Sequence, residues 1–248
     1  MTASDTEARL ASGQWLDRIG DRDALKVMLE SHGAAAEAVA ASLTQIEAAA
    51  RAMVARLAAD DQARIIYAGA GTSIRIAVQD GVELGPTFDW PSGRLAYLVA
   101  GGHGALMTAV ENAEDDVAAA ERDVDGLGMT PSDILIALSA SGRTPFTCAA
   151  AAAARRTGAL TIGIANNDGA QLLDGADIAI PLVTGPEAVA GSTRLKAGTA
   201  QKICLNMIST LVMTRLGHVR DGQMVAMKPG NAKLQERFDR IHGGATGK

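Results

Sequence analysis

The sequence predicts an α/β fold built on a mainly parallel β-sheet, and two observations lead to this prediction. Short apolar runs rich in branched residues recur along the chain, and they are too short for typical helices. Longer Ala-rich or amphipathic segments separate these runs, so predicted strands alternate with predicted helices. This alternation is typical of βαβ units, in which the strands lie parallel. A chain of 248 residues is long enough for one large domain of this class.

The apolar runs predict five strands, at 64–68, 95–100, 134–138, 160–165 and 178–183. A helical arm is expected over residues 1–32, and a long Ala-rich helix over 33–60. Later helices are expected over 75–84, from Pro145, and from about 191 to 216, with an amphipathic stretch over 231–241. The predicted organisation is therefore an arm over 1–32, one domain over 33–242 and a frayed tail over 243–248.

Composition limits the class of protein. The formal net charge of −5 gives no large basic field, so no nucleic-acid partner is expected. No apolar run reaches membrane-spanning length, and the first residues lack the basic and apolar regions of a secretory signal. The two cysteines, Cys148 and Cys204, show no metal-ligand spacing and suit a reducing compartment. We expect a soluble cytoplasmic protein that binds no membrane and needs neither metal nor cofactor.

The most informative stretch lies where the third predicted strand meets a helix. Pro145 suits the first turn of that helix, because its missing N–H costs nothing there. One helix cap needs one hydroxyl, and this turn offers three hydroxyls, a glycine and an arginine. Free N–H groups and the helix dipole attract anions at such a place, so a phosphate site is expected, with simple capping as the alternative. The residues of this turn are Ser139, Ala140, Ser141, Gly142, Arg143 and Thr144.

A second turn of the same design, over 69–75, follows the first predicted strand. It begins like a dinucleotide-binding fingerprint, but Ile74 and Arg75 stand where the third glycine is wanted. Its two hydroxyls suit a phosphate monoester better. A third hydroxyl-rich turn lies at 191–196. Because the carboxyl ends of parallel strands share one edge of a sheet, all three turns are expected near that edge.

These motifs resemble a known family. Segments 69–73 and 139–145 resemble sugar isomerase (SIS) domains, and segments 109–115 and 191–202 look like the N-acetylmuramic acid 6-phosphate etherase family. The resemblance covers about residues 35 to 240. It implies a flavodoxin-like three-layer αβα sandwich with a five-stranded sheet, a sugar phosphate as the ligand, and a homodimer whose sites lie near the subunit interface.

The resemblance also implies a reaction and its catalytic residues. The family removes D-lactate from the ether at C3 of the sugar phosphate and leaves N-acetylglucosamine 6-phosphate. Glu83 matches the position of the family's proton donor, and Glu114 matches the second catalytic glutamate. On spacing alone, both would be ordinary surface positions. The candidate substrate- and phosphate-binding residues are Gly71, Thr72, Ser73, Arg75, Ser139, Ser141, Gly142, Arg143, Thr144, Ser192, Arg194 and Lys196.

Two departures from the family keep other functions open. Ile74 stands where the family has glycine, and the small C-terminal helical domain of full etherases is absent from this sequence. The alternatives are a non-catalytic phosphosugar sensor and an aldose–ketose isomerase of the same fold. We favour the lyase because two placed glutamates exceed what an isomerase needs.

Overall fold

The central sheet of the computed structural model is parallel throughout. The structure describes residues 5–10, 15–227 and 235. The five predicted strands are confirmed, and their spatial order is β2-β1-β3-β4-β5, the flavodoxin-like order. Each neighbouring pair is parallel. The strands are β1 (Ile65–Gly69), β2 (Leu95–Val99), β3 (Ile134–Ser139), β4 (Leu160–Ala165) and β5 (Ile178–Pro181).

Helices cover both faces of this sheet. Side chains alternate along each strand, so Ile65 and Tyr67 of β1 enter one apolar core while Ile66 and Ala68 enter the other. Burial on both faces explains why the central strands are apolar runs without a polar alternation. The helices are α1 (Asp21–Ala41), α2 (Leu43–Ala59), α3 (Gly71–Phe88), α4 (Val117–Leu127), α5 (Pro145–Arg156), α6 (Gln171–Asp174) and α7 (Lys196–Arg215).

The helices form two layers, which confirms the three-layer αβα sandwich. Helices α2, α3 and α7 supply the core on one face, and α1 packs on α7. Helices α4 and α5 supply the core on the other face. A short antiparallel pair, β6 (Val219–Arg220) and β7 (Gln223–Met224), follows α7. Within the described part of the chain, no helix combines the length and apolar character needed to cross a bilayer.

Two helix predictions are wrong. The helix expected over 33–60 is two helices that meet at Ser42, whose hydroxyl donates to the Pro181 carbonyl at 2.5 Å and so ties the break to the end of β5. Helix α3 does not stop near residue 84 but continues to Phe88, with Pro86 in its last turn at the loss of one backbone hydrogen bond. Helix α1 crosses the boundary expected at residue 33, and the division into arm and domain stays a prediction. The stretch at 231–241, apart from residue 235, and the tail at 243–248 lie outside the described residues.

A buried ion pair joins β1 to β3 at their amino-terminal ends. The Asp133 carboxylate is 1% exposed and accepts hydrogen bonds from the Arg64 guanidinium at 2.7 and 3.1 Å. The backbone N–H groups of Arg64 and Thr130 donate to the same carboxylate. Burial alone would raise the pKa of Asp133, but these hydrogen bonds and the Arg64 charge outweigh it and hold the pKa below its ordinary value.

Asp133→Asn should lower the free energy of unfolding by about 3 kcal/mol at neutral pH, because it leaves the Arg64 charge without its partner. Since the folded-state pKa is lowered, this stabilisation is present above the unfolded pKa of about 3.9 and is lost as pH falls through the folded pKa. Urea unfolding at neutral and acid pH measures both effects. Asp125→Asn on α4, which removes an exposed carboxylate, is the control. Equal stability of the wild type and Asp133→Asn at neutral pH would contradict this assignment.

Candidate active site

The candidate site is a cavity at the switch in strand order. The chain leaves β1 for β2 on one side and later enters β3 on the other side of β1. The turns that follow β1 and β3 therefore lie side by side at the carboxyl edge of the sheet, where α/β proteins bind ligands. A cavity of about 410 Å³ opens there. It is lined by Glu7, Ala70, Gly71, Thr72, Ser73, Glu114, Asp115, Ser139, Ala140, Ser141, Arg143, Thr144, Pro145 and Thr193.

Two helices begin at this cavity, and neither has a side-chain cap. Helix α3 starts at Gly71 and α5 at Pro145, and no side chain caps the first turn of either helix. The first N–H groups of a helix have no partner within the helix, and the dipole adds about half a positive charge there. Two such ends facing one cavity suit a doubly negative phosphate.

Two other helices of the structure begin at carboxylate caps. Asp116 accepts a hydrogen bond from the Ala119 N–H at the start of α4. Glu187 is fully buried and accepts hydrogen bonds from the N–H groups of Lys196 and Ala197 at the start of α7. The protein thus supplies its own anion to these two helices. Helices α1, α2 and α6 have no side-chain cap either, so α3 and α5 are distinguished by beginning at one cavity, where a single anion can contact both helix starts.

The turn after β3 is held by a hydroxyl cluster. The Ser139 hydroxyl lies 2.9 Å from the Thr144 hydroxyl and 3.3 Å from that of Ser141, and it accepts a hydrogen bond from the Gly142 N–H at 3.0 Å. Ser139 is 3% exposed, whereas Ser141 and Thr144 are partly exposed. Ser139 therefore fixes the shape of the turn, while Ser141 and Thr144 can offer hydroxyls to a ligand.

Gly142 shapes this turn and does not line the cavity. Its φ is +65°, a conformation that L side chains rarely adopt. A Cβ at this position would lie 2.4 Å from the Ala170 Cβ. The glycine therefore lets the turn lie against the loop that follows β4, and its predicted role in binding is indirect.

Four other candidates do not line the main cavity. The Arg75 guanidinium donates to the carbonyls of Ala105 and Leu106 at 2.8 and 2.9 Å, and it borders a neighbouring cavity of about 260 Å³. From the third turn only Thr193 reaches the main cavity. The candidates that the structure leaves outside the main cavity in this turn are Ser192, Arg194 and Lys196.

Lys196 has a structural environment that explains its position at a helix start. It is 5% exposed, and burial lowers the pKa of its ammonium group although the Glu187 charge acts to raise it. A positive side chain is unfavourable near the positive end of a helix. The negative charge of the buried Glu187 offsets the charge of the Lys196 ammonium group and that of the helix end. Lys196, a candidate binding residue in the sequence, therefore has a buried carboxylate within the protein to offset its charge.

The two candidate catalytic glutamates are far apart in one protomer. Glu114 lies on a short 3₁₀ helix (Ala113–Asp115) and lines the cavity. Glu83 is exposed near the other end of α3, ten residues beyond Ser73, which is a rise of about 15 Å along the helix. The structure therefore brings Glu114 to the hydroxyl-rich turns, and it does not bring Glu83 there.

Sequence reasoning missed an amide that organises this edge of the sheet. The Asn167 side chain donates to the Ala140 carbonyl at 2.8 Å and to the Thr6 hydroxyl at 3.3 Å. It thereby joins the turn after β3 to the amino-terminal segment, which carries Glu7 into the cavity. The only signal in the sequence was the position of Asn167 just after a predicted strand. Nothing in the sequence pattern links Thr6 or Glu7 to that position.

Comparison with known proteins assigns the family. Over 94% of its length, the chain is 47% identical to the N-acetylmuramic acid 6-phosphate etherase of Deinococcus radiodurans, and it covers 75% of that protein. It is 46% identical to the Rubrobacter xylanophilus protein of the same name, over 98% of this chain and 80% of that one. The chain belongs to the N-acetylmuramic acid 6-phosphate etherase family.

Domain models and solved structures agree with this assignment at the level of the fold. A model of the glucokinase regulatory protein N-terminal SIS domain matches residues 47–154, and a SIS domain model matches residues 109–211. A phosphoheptose isomerase from Francisella tularensis superposes with a TM-score of 0.62 at 21% identity, over 79% of this chain and all of that one. A phosphoheptose isomerase from Neisseria gonorrhoeae gives a TM-score of 0.57 at 18% identity, over 78% of this chain and 98% of that one.

Proposed function

We propose that this protein cleaves the D-lactyl ether of N-acetylmuramic acid 6-phosphate and forms N-acetylglucosamine 6-phosphate and D-lactate. The observation that carries the proposal is one cavity that two uncapped helix starts and several hydroxyls share with a carboxylate, Glu114. The etherase names of relatives at 44–48% identity support the choice of substrate. The fold alone would equally suit an isomerase.

The phosphate end positions the substrate. The N–H groups in the first turns of α3 and α5, with the hydroxyls of Ser73, Ser141 and Thr144, provide donors to the phosphate oxygens. The exposed Arg143 adds a positive charge at the rim. Holding the sugar by its 6-phosphate fixes the distance from the phosphate to C2 and C3, where the reaction takes place.

The reaction needs one base and one acid. The aldehyde of the open-chain sugar acidifies the proton on C2, and Glu114 takes that proton. The C2–H electron pair forms the C2–C3 double bond as the C3–O bond breaks, and a proton on the ether oxygen lets the lactate leave. Water then adds to C3, with its proton taken by the group that served as the acid, and C2 is reprotonated. Two carboxyl groups with different protonation states suit this sequence.

Glu83 is the acid in this proposal, and it acts in the site of a second copy of the chain. Its exposed position on α3, away from the cavity of its own protomer, supports this arrangement. A homodimer also has apolar surface to bury. Leu25 and Leu29 on α1 are 64% and 74% exposed, and a largely apolar groove of about 680 Å³ runs between α2 and α7. A symmetric dimer would complete both sites in the same way.

Release of D-lactate from N-acetylmuramic acid 6-phosphate tests the proposal directly. The wild type should release lactate and exchange the C2 proton with solvent deuterium. Glu114→Gln should lower kcat by roughly 10²- to 10⁴-fold, because general base catalysis is lost while the shape of the side chain is kept. Glu111→Gln, which changes a nearby exposed carboxylate outside the main cavity, serves as the control. A wild type that interconverts hexose phosphates, or binds them without turnover, would contradict the lyase.

Mixing two inactive variants tests the contribution of Glu83 across a dimer. Glu83→Gln and Glu114→Gln homodimers should each be nearly inactive. After subunit exchange, each mixed dimer keeps one site with both glutamates, so about a quarter of the wild-type activity should return in a one-to-one mixture. The matched control is Glu83→Gln protein taken alone through the same exchange procedure, which cannot form a site with both glutamates. Failure to regain activity in dimers shown to have exchanged would place Glu83 in its own protomer's site or outside catalysis.

A further inference from the structure

The amino-terminal segment is fastened to the edge of the candidate site. Thr6 is fully buried, and its N–H donates to the Asn167 side-chain oxygen at 3.4 Å. The Asn167 amide donates back to the Thr6 hydroxyl, and the Gly191 N–H donates to the Thr6 carbonyl at 3.0 Å. Residue 6 is therefore held to the loop after β4 and to the loop before α7. These contacts fix where the next residue, Glu7, begins.

Glu7 lines the cavity beside Gly191, at a position that favours glycine. Its Oε2 lies 2.8 Å from the place where a Cβ on Gly191 would stand, and the φ of Gly191 is +75°. A larger residue at 191 would be strained by this backbone conformation, and the Glu7 carboxylate would have to shift to make room for it. The backbone thus leaves room for this side chain, which lines the same cavity as Ser73, Ser141 and Glu114.

The charge of Glu7 identifies what it can bind. A carboxylate only accepts hydrogen bonds, and it repels a phosphate dianion. If the starts of α3 and α5 hold the phosphate, this repulsion favours a different part of the ligand beside Glu7. The remaining donors on an amino-sugar phosphate are its hydroxyls and its amide N–H. Hydrogen bonds from such groups to a charged acceptor are among the stronger ones.

We propose that Glu7 is a substrate-contacting residue that accepts a hydrogen bond from a hydroxyl or the amide N–H of the sugar. This inference rests on the proposed function, because it takes an amino-sugar phosphate as the ligand. Asn167 gives the arrangement its precision, since the same side-chain amide donates to Ala140 in the phosphate turn at 2.8 Å. One amide therefore holds the turn after β3 and the segment that carries Glu7 in a fixed relation to each other.

Binding of two probes to Glu7 variants tests this role. Calorimetry with N-acetylglucosamine 6-phosphate should show about 10- to 100-fold weaker binding to Glu7→Ala, which loses a hydrogen bond to a charged acceptor. Glu7→Gln keeps the shape and a neutral acceptor and should show a smaller loss. Inorganic phosphate should bind the wild type and both variants with similar affinity. Glu121→Gln, which changes an exposed carboxylate on α4, should behave as the wild type with both probes.

Three other binding results would overturn the role of Glu7. If both probes bound the Glu7 variants more weakly by the same factor, Glu7 would have a structural role, and a lower Tm of the variants would confirm this. Tighter binding of both probes to Glu7→Gln would put the carboxylate beside the phosphate. Unchanged binding of the sugar phosphate would remove the contact. A wild type that binds this sugar phosphate but releases no lactate would overturn the proposed reaction and leave Glu7 to be judged by binding, whereas a wild type that does not bind it would overturn both.

Discussion

The arrangement on which this site depends is the meeting of two uncapped helix starts at one edge of a parallel sheet. Strand order 2-1-3-4-5 makes β1 and β3 neighbours, so the helices that follow them begin side by side. Neither helix has a side-chain cap, although α4 and α7 are capped by Asp116 and Glu187. An anion at the shared cavity would satisfy both ends at once, and the hydroxyl cluster beside them adds further donors.

Tight packing keeps these helix starts in place. At Gly198 of α7 a Cβ would lie 3.3 Å from the Thr72 methyl group, so glycine lets α7 approach the first turn of α3 closely. The buried Asn166 amide donates to the carbonyls of Leu182 and Ala197, and so ties the start of α7 to the end of the sheet. Burying the Asn166 amide carries a small free-energy penalty because both of its N–H groups have an acceptor, and these hydrogen bonds fix the loops in one arrangement.

The sequence predicted the fold and the position of two hydroxyl-rich turns at the carboxyl edge of the sheet, because both depend on local patterns. Apolar runs identify buried strands, and hydroxyls with glycine after a strand identify the turns at 71–75 and 139–144. The sequence could not show which candidates line the cavity, because this depends on contacts between remote segments. Ser141 borders the cavity, whereas Lys196 lies under the influence of the buried Glu187 charge. For the same reason Glu7 was missed, and the separation of Glu83 from Glu114 needed the three-dimensional path of α3.

The most direct test of the central claim is a crystal structure of the protein with bound N-acetylglucosamine 6-phosphate. We expect the phosphate oxygens within hydrogen-bond distance of N–H groups in the first turns of both α3 and α5 and of the Ser141 and Thr144 hydroxyls. A phosphate held instead at Arg194 and Lys196, or outside the cavity between the turns after β1 and β3, would contradict the account.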